Sequence, residues 1–236
     1  MNVVLLTTET GHHLYYTWKL SDRFPVRVIF LETRQVEAPF ATQHAFEKQR
    51  DAYEREVFLA GCPGPFADFA EIREFASMND AAAVAALRSL DPDVVLVFGT
   101  GRLEEPVIQA ARQACLNLHG GNPEHYRGLD SHLWTIYHAD FDNLVTTLHH
   151  VDMGLDTGDI VFQTRLPIQR GMGLHELRAV NTQACVDLSL LALQCLEAGR
   201  ALPGRPQLQR GRYYSFMPAV LKEECVRRWE QHVATL

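Results

Sequence analysis

Cysteine is sparse and unpatterned in this sequence. The 5 cysteines (Cys62, Cys115, Cys185, Cys195 and Cys225) are odd in number and scattered, with no C-x-x-C pair. That argues against a zinc ribbon and a disulfide framework, and for reduced, mostly buried thiols in a cytoplasmic protein. Positive charge is short as well: 22 Lys and Arg against 29 Asp and Glu leave a formal net charge of -7. A nucleic-acid surface needs clustered Lys and Arg, so no nucleic-acid partner is expected. Arg200 to Arg212 is the one local basic stretch. Met1 to Thr7 has no basic lead-in and is too short for a targeting segment, so neither a membrane partner nor a leader is expected. Convergent metal ligands are lacking too. His12-His13 and His149-His150 are adjacent pairs, whose side chains face opposite ways along a strand, and no metal is expected.

What is present is an alternation of strand and helix patterns. Val3 to Thr7 reads as a first strand, Leu14 to Leu20 as helical, and Val26 to Leu31 as a second strand. That order is a βαβ unit and sets a parallel sheet. Thr42 to Leu59 is predicted to be a long amphipathic helix with Phe46, Tyr53 and Val57 on one face. Its polar side is either solvated or a lid over substrate. Asn79 or Asp80 caps a helix through Leu87. Val94 to Phe98 is apolar throughout, as a strand covered on both faces should be. A helix over Glu104 to Gln113 and a strand over Cys115 to His119 follow. Asp130 and Ser131 suit the cap of a helix through His138. Leu144 to Val151 and Ile160 to Leu166 are two further strands, and Met172 to Glu197 is a long Leu- and Ala-rich helix. Gly199 to Arg212 looks like a linker. Leu221, Cys225 and Trp229 then recur at helical spacing, and this stripe needs something to pack on, in this chain or in a second copy as a homodimer. The pattern predicts an α/β fold with a mostly parallel sheet flanked by helices.

The chemistry concentrates in Leu116-Asn117-Leu118-His119. Side chains at i and i+2 of a strand share a face, so Asn117 and His119 converge at the C-terminal end of a central strand. Open α/β sheets place their ligands there. An otherwise apolar strand has no packing use for an amide and an imidazole, and both need partners. Asp156, in the tight Leu155-Asp156-Thr157-Gly158 loop, is placed to reach the imidazole. A carboxylate beside histidine raises its pKa and fixes its orientation. An amide and a charged imidazole offer two donors to a developing oxyanion, and the carboxylate can take a proton from an attacking amine. His12 and His13, near the end of the first strand, are candidates for substrate contact. Arg127 either meets an anionic group or forms a structural salt bridge.

In order, Asn117-Leu118-His119, Pro123, Tyr126-Arg127-Gly128 and Leu155-Asp156-Thr157-Gly158-Asp159 resemble the signature of the folate-dependent formyltransferases. That superfamily includes the glycinamide ribonucleotide, methionyl-tRNA and sugar N-formyltransferases. The likeness is strong from about Val94 to Pro167 and fades on either side. It implies a Rossmann-like catalytic domain over 1–198, a small helical extension over 199–236, and 10-formyltetrahydrofolate as co-substrate. By similarity, Asn117 and His119 would stabilise an oxyanion while Asp156 sets His119 and assists proton transfer. The pterin would lie against Phe98, Gly99, Gly101, Arg102 and Leu103 and against Val151, Asp152 and Gly154. The acceptor implied is an amine on a small metabolite, first a nucleotide-linked amino sugar. Glycinamide ribonucleotide, an amino acid, or water in a formyltetrahydrofolate hydrolase are the alternatives. Two departures bear on this: Gly120-Gly121 follows the histidine where many members have proline, and Thr8-Glu9-Thr10-Gly11-His12-His13 replaces a glycine-rich phosphate loop. The tail is shorter than the C-terminal domain of the tRNA enzymes, and the net charge is wrong for tRNA.

Overall fold

In the computed structural model, which describes residues 1–34 and 36–236, strands and helices alternate along most of the chain. They run β1 (Val3–Thr7), α1 (Gly11–Ser21), β2 (Val26–Glu32), α2 (Ala45–Tyr53), β3 (Glu71–Phe75), α3 (Ala81–Ser89), β4 (Val94–Phe98), α4 (Glu105–Ile108) and β5 (Ala114–His119). Then come β6 (Tyr126–Gly128), α5 (Ser131–Tyr137), β7 (Val145–His150), β8 (Ile160–Arg165), α6 (Leu177–Glu197), β9 (Arg212–Tyr214) and α7 (Ala219–Thr235). Among the described residues, one sheet has the order β3-β2-β1-β4-β5-β7-β8, and β6 pairs with β9 separately. The neighbours from β3 to β5 are parallel, while β5–β7 and β7–β8 are antiparallel. The fold is thus a mostly parallel α/β sheet with flanking helices.

Every residue of β1 and β4 is buried. Alternation along β1 sends Val3 and Leu5 to one face, where Tyr16 and Leu20 of α1 and Cys185 and Ala192 of α6 pack. Val4 and Leu6 point to the other face and meet Leu87 of α3 and Val107 of α4. Each such aliphatic side chain contributes about 1.5–3 kcal/mol by leaving water. The stretch Leu174–Glu197 is apolar and long enough to cross a membrane by composition, but it spends that apolarity against α1, β7 and β8.

Several expectations shift on the structure. The α2 helix ends at Tyr53 and gives way to a π turn over Glu54–Phe58. The wider turn rotates the face, so Val57 is exposed and Glu54 points inward instead. Glu54 is held by the Arg178 guanidinium, with both nitrogen–oxygen distances at 2.5 Å. Strand β3 had no clear sequence signal, because it is an edge strand whose Glu71 and Arg73 pair with each other at 2.7 Å in solvent. The helix expected over Glu104 to Gln113 is a four-residue turn. The backbone amides of Arg112 and Gln113 donate instead to Pro92 and Asp93. Asp130 does stand at the start of α5, but in the left-handed region (φ 50°), and its carboxylate accepts from the Met217 amide rather than capping α5. Gly199 to Arg212 is pinned rather than loose, by backbone bonds between Arg205 and Ile160 and by the Arg205–Glu124 ion pair at 2.9 Å. The stripe on α7 is covered within the chain: Cys225 lies against Leu133 of α5, and the Trp229 indole donates to the Met172 carbonyl at 2.6 Å.

Candidate active site

The chain runs from β1 outward to β2 and β3, then returns across the sheet to β4 and β5. The connections leaving β1 and β4 therefore part in opposite directions, and a crevice opens at their C-terminal ends. A cleft of about 550 Å³ occupies this place and extends over the end of β5 towards α5 and α6.

Asn117 and His119 reach the cleft from β5, and Asp156 reaches it from the β7–β8 connection. The antiparallel register sets Asn117 opposite His149. His149 Nδ1 donates to the His150 carbonyl at 2.7 Å, which leaves Nε2 as an acceptor for the Asn117 amide at 3.0 Å. The amide nitrogen is also 3.4 Å from Asp156 Oδ1. On the other side, His119 Nε2 donates to the Tyr126 carbonyl at 2.7 Å, and its Nδ1 faces Asp156 Oδ2 at 3.6 Å. Asp156 itself has φ 53°, and its Oδ2 accepts the Gly128 amide at 2.8 Å. Burial alone would raise this carboxyl's pKa. Positive charge on the neighbouring His119 ring and the Gly128 amide outweigh burial and hold it well below the usual carboxylate range. The result is a buried carboxylate between two imidazoles, with a side-chain amide oriented beside it. Such a group can accept or relay a proton, and the amide and a protonated imidazole can face a developing negative charge.

Gly121 shows why small residues follow His119. A Cβ there would lie 2.9 Å from Ser131 Cβ and 3.1 Å from His119 Nε2.

The opposite wall comes from the ends of β1 and β4. His13 Nδ1 is 3.0 Å from the Thr8 carbonyl, and its ring lies over Gly99. Gly99 has φ 86°, and an added Cβ would approach His13 Cε1 to 2.5 Å. Burial pushes the His13 pKa down to about 3, so the ring is neutral. The rings of His12 and His13 both meet Phe98 edge-on. The loop after β4 is strapped from outside: Gly101 N donates to Glu32 at 2.6 Å, and Asn79 donates to the Arg102 carbonyl at 2.9 Å. Arg102 in turn donates to the Met153 carbonyl at 2.5 Å, which ties this loop to the one that carries Asp156.

Of the residues singled out from sequence, the structure brings Asn117, His119, Asp156, His12, His13, Phe98, Gly99, Gly101 and Arg102 to one cleft. Others lie elsewhere. Leu103 turns into the core beneath the loop, and Val151 packs on that same core. Asp152 spends its carboxylate on Gly154 N and the Thr157 hydroxyl, so Asp152 and Gly154 form a self-contained turn outside the cleft wall. Arg127 is buried and donates to the carbonyls of Gly211 and Leu155 at 2.7 and 2.9 Å. Among the described residues it forms no salt bridge; it fastens the Asp156 loop to the tail. Tyr213 lines the cleft, while Tyr214 stacks on Trp134 with ring centroids 5.0 Å apart.

Sequence reasoning missed His149, which was set aside because neighbouring histidines face opposite ways. They do, but one ring is enough, and a cross-strand partner is invisible until register is known. His132, Asn181 and Arg178 in the same wall were missed too. Among the described residues, no group of three or more His, Cys, Asp or Glu is placed to hold a metal ion.

A family model described as formyl transferase matches residues 32–184. A methionyl-tRNA formyltransferase from Syntrophus aciditrophicus is 33% identical over 162 residues, covering 67% of this chain and 50% of that protein. The chain spans about half the length of the curated relatives it matches. Among solved structures, phosphoribosylglycinamide formyltransferase from Streptococcus pneumoniae superposes with a TM-score of 0.58 at 18% identity, covering 84% of this chain and 99% of that one. A formyltransferase from Anoxybacillus kamchatkensis, solved with UDP-4,6-dideoxy-4-formamido-L-AltNAc and tetrahydrofolate, gives a TM-score of 0.52 at 17% identity over 91% of this chain and 86% of that one.

Proposed function

As the chain belongs to the formyl transferase family, we propose that it carries a formyl group from 10-formyltetrahydrofolate to an amine of a small metabolite in the cytoplasm. The observation that carries this reading is the meeting of Asn117, His119 and Asp156 around one end of a cleft large enough for two ligands' reacting ends.

The amine's lone pair attacks the formyl carbon, the bond from that carbon to the folate nitrogen breaks, and the amine's proton ends on that nitrogen. The Asn117 amide, held in one orientation by His149, faces the oxygen on which charge develops. His119 joins it through Nδ1 when the ring carries both protons, because its Nε2 proton is committed to Tyr126. Asp156 stabilises that charged ring and receives the amine's proton, directly or through water. The folate is read against Phe98, Gly99, Gly101 and Arg102, where the strapped loop offers backbone groups at a φ that keeps side chains out of the way. Residues 1–198 are taken as the catalytic domain and 199–236 as its extension.

A nucleotide-linked amino sugar is the acceptor favoured, with glycinamide ribonucleotide, an amino acid or water behind it. A net charge of -7 is poor complementarity for an RNA backbone, which disfavours a tRNA acceptor. The test is to supply 10-formyltetrahydrofolate with a panel of amines, following the folate by absorbance and the formamide by mass spectrometry. Amine-dependent turnover is expected. Folate consumed equally fast without any amine would make the protein a hydrolase, and no turnover with no folate binding would overturn the reading altogether.

A further inference from the structure

One part of the cleft has no role in the chemistry just described. It lies over Gly120, one residue beyond His119, where α5 and α6 face each other. His132 Nε2 donates to the Val145 carbonyl at 2.7 Å, which makes Nδ1 the nitrogen with a free lone pair. Burial pushes the His132 pKa down to about 4, so this tautomer is the neutral ring near pH 7. Asn181 is 7% exposed, and its Oδ1 accepts the Thr146 hydroxyl at 2.6 Å, which fixes Nδ2 on the cleft side. Among the described residues, neither His132 Nδ1 nor Asn181 Nδ2 has a protein partner. Both flank Gly120 along the cleft, each 3.4 Å from where a Cβ on that residue would stand.

We propose that His132 Nδ1 and Asn181 Nδ2 form a subsite for a neutral polar group next to the reacting amine, a hydroxyl on the adjacent carbon. The inference rests on the formyl-transfer reading for the amine and adds the chemistry of its neighbour. A hydroxyl donates and accepts at once and satisfies both groups. An ammonium gives Asn181 nothing. A carboxylate or phosphate satisfies Asn181 but turns an oxygen lone pair towards that of His132, and leaving a buried polar group unmatched costs about 1–3 kcal/mol. The nearby guanidiniums do not change this preference. Arg178 is already matched by Glu54 and Asp51, and Arg50 by Glu47 and Asp51. Gly120 keeps the subsite open, because a methyl there would press on His132 Cε1 at 3.2 Å.

Binding and turnover read the two ideas separately. Calorimetry on the folate-loaded protein would compare the methyl glycoside of a 2-aminohexose, whose one hydroxyl beside the amine is at C3, with its 3-deoxy analogue, and the same pair would be assayed for formyl transfer. The wild type is expected to bind the hydroxylated amine at least about tenfold more tightly. Asn181→Asp, which keeps the acceptor for Thr146 and replaces only the donor, and Gly120→Ala, whose methyl would crowd both groups, should each bring that ratio near one. Tetrahydrofolate binding, followed by tryptophan fluorescence, should stay within about twofold and shows that the variants are folded. Equal binding of the two amines by the wild type, no binding of either, or a ratio that persists in both variants would overturn the subsite. Discrimination in binding without any transfer would leave the subsite standing and sink the transferase reading.

Discussion

The two walls of the cleft are built on different principles. The wall at the ends of β1 and β4 is mostly backbone and packing, with a left-handed glycine, a strapped loop and neutral rings pressed against Phe98. The wall at the ends of β5 and β7 is made of side chains that fix one another, from His149 through Asn117 to Asp156 and His119. A surface that must accept a flat, uncharged ring system needs shape and a few backbone groups. A surface that must move a proton and hold a growing charge needs oriented side chains. On the proposed reading, the difference is what a two-substrate transfer asks of one crevice.

The sharpest way to break the contrast is to remove the anion. Asp156→Asn keeps the shape but loses the charge that supports His119, and transfer should fall by roughly 10³-fold with little change in folate binding. Stopped-flow single turnovers would measure it. A variant within a few-fold of wild type would show that the β5 wall acts by shape like its opposite. His149 tests the same wall one step back, as a positioning residue. With His149→Phe, the Asn117 amide loses its acceptor, and a misplaced donor costs up to about a hundredfold in kcat. His149→Gln offers an acceptor again and should recover most of it. If both variants are equally impaired, His149 serves packing alone.

The opposite wall calls for a different signature. In Gly99→Ala, a Cβ meets His13 and the residue is held at φ 86°. KM for the folate is expected to rise on the order of tenfold while KM for the amine is unchanged, since a non-glycine residue in this region costs about 1–2 kcal/mol. Adding His13→Ala relieves the contact but not the backbone cost, so the double variant should recover part of the loss. An effect on the amine instead would move the folate off this wall.

The same division explains what could be read from sequence. Asn117 and His119 stood out because two polar residues at period 2 interrupt an apolar strand, and Asp156 because its loop follows in the family's order. The central β1 and β4 were legible as unbroken apolar runs. The backbone wall left fainter traces: Phe98, Gly99, Gly101 and Arg102 line the cleft, while Leu103 turns into the core, on which Val151 after β7 also packs. His149 and Asn181 depend on antiparallel register and on the seating of α6, which no local pattern encodes. The π turn that buries Glu54 in place of Val57 owes its stability to Arg178, more than a hundred residues away.

Acid should soften both walls, and in a defined order. His13 on one wall and His132 on the other have pKa values pushed down to about 3 and about 4, each chiefly by burial, against carbonyl hydrogen bonds from Thr8 and Val145 that pull upward. In the unfolded chain an imidazole takes up its proton below about pH 6.5, whereas the folded rings resist. The unfolded state therefore binds more protons between about pH 6.5 and 4, and stability falls as pH drops through that window, by up to about 1.4 kcal/mol per pH unit for each ring. Asp156 works in a lower range. Its folded pKa is depressed, so its contribution is complete above the ordinary carboxylate value near 4 and is lost only as pH falls below it. The two histidines therefore act at higher pH than Asp156 does. Urea midpoints measured from pH 7.5 to 4.5 should decline for the wild type and decline less steeply for His132→Gln, by the share of one proton. Parallel slopes would mean that the His132 ring is hydrated in solution, which would remove the desolvated lone pair from the β5 wall and with it one of the features that set the two walls apart.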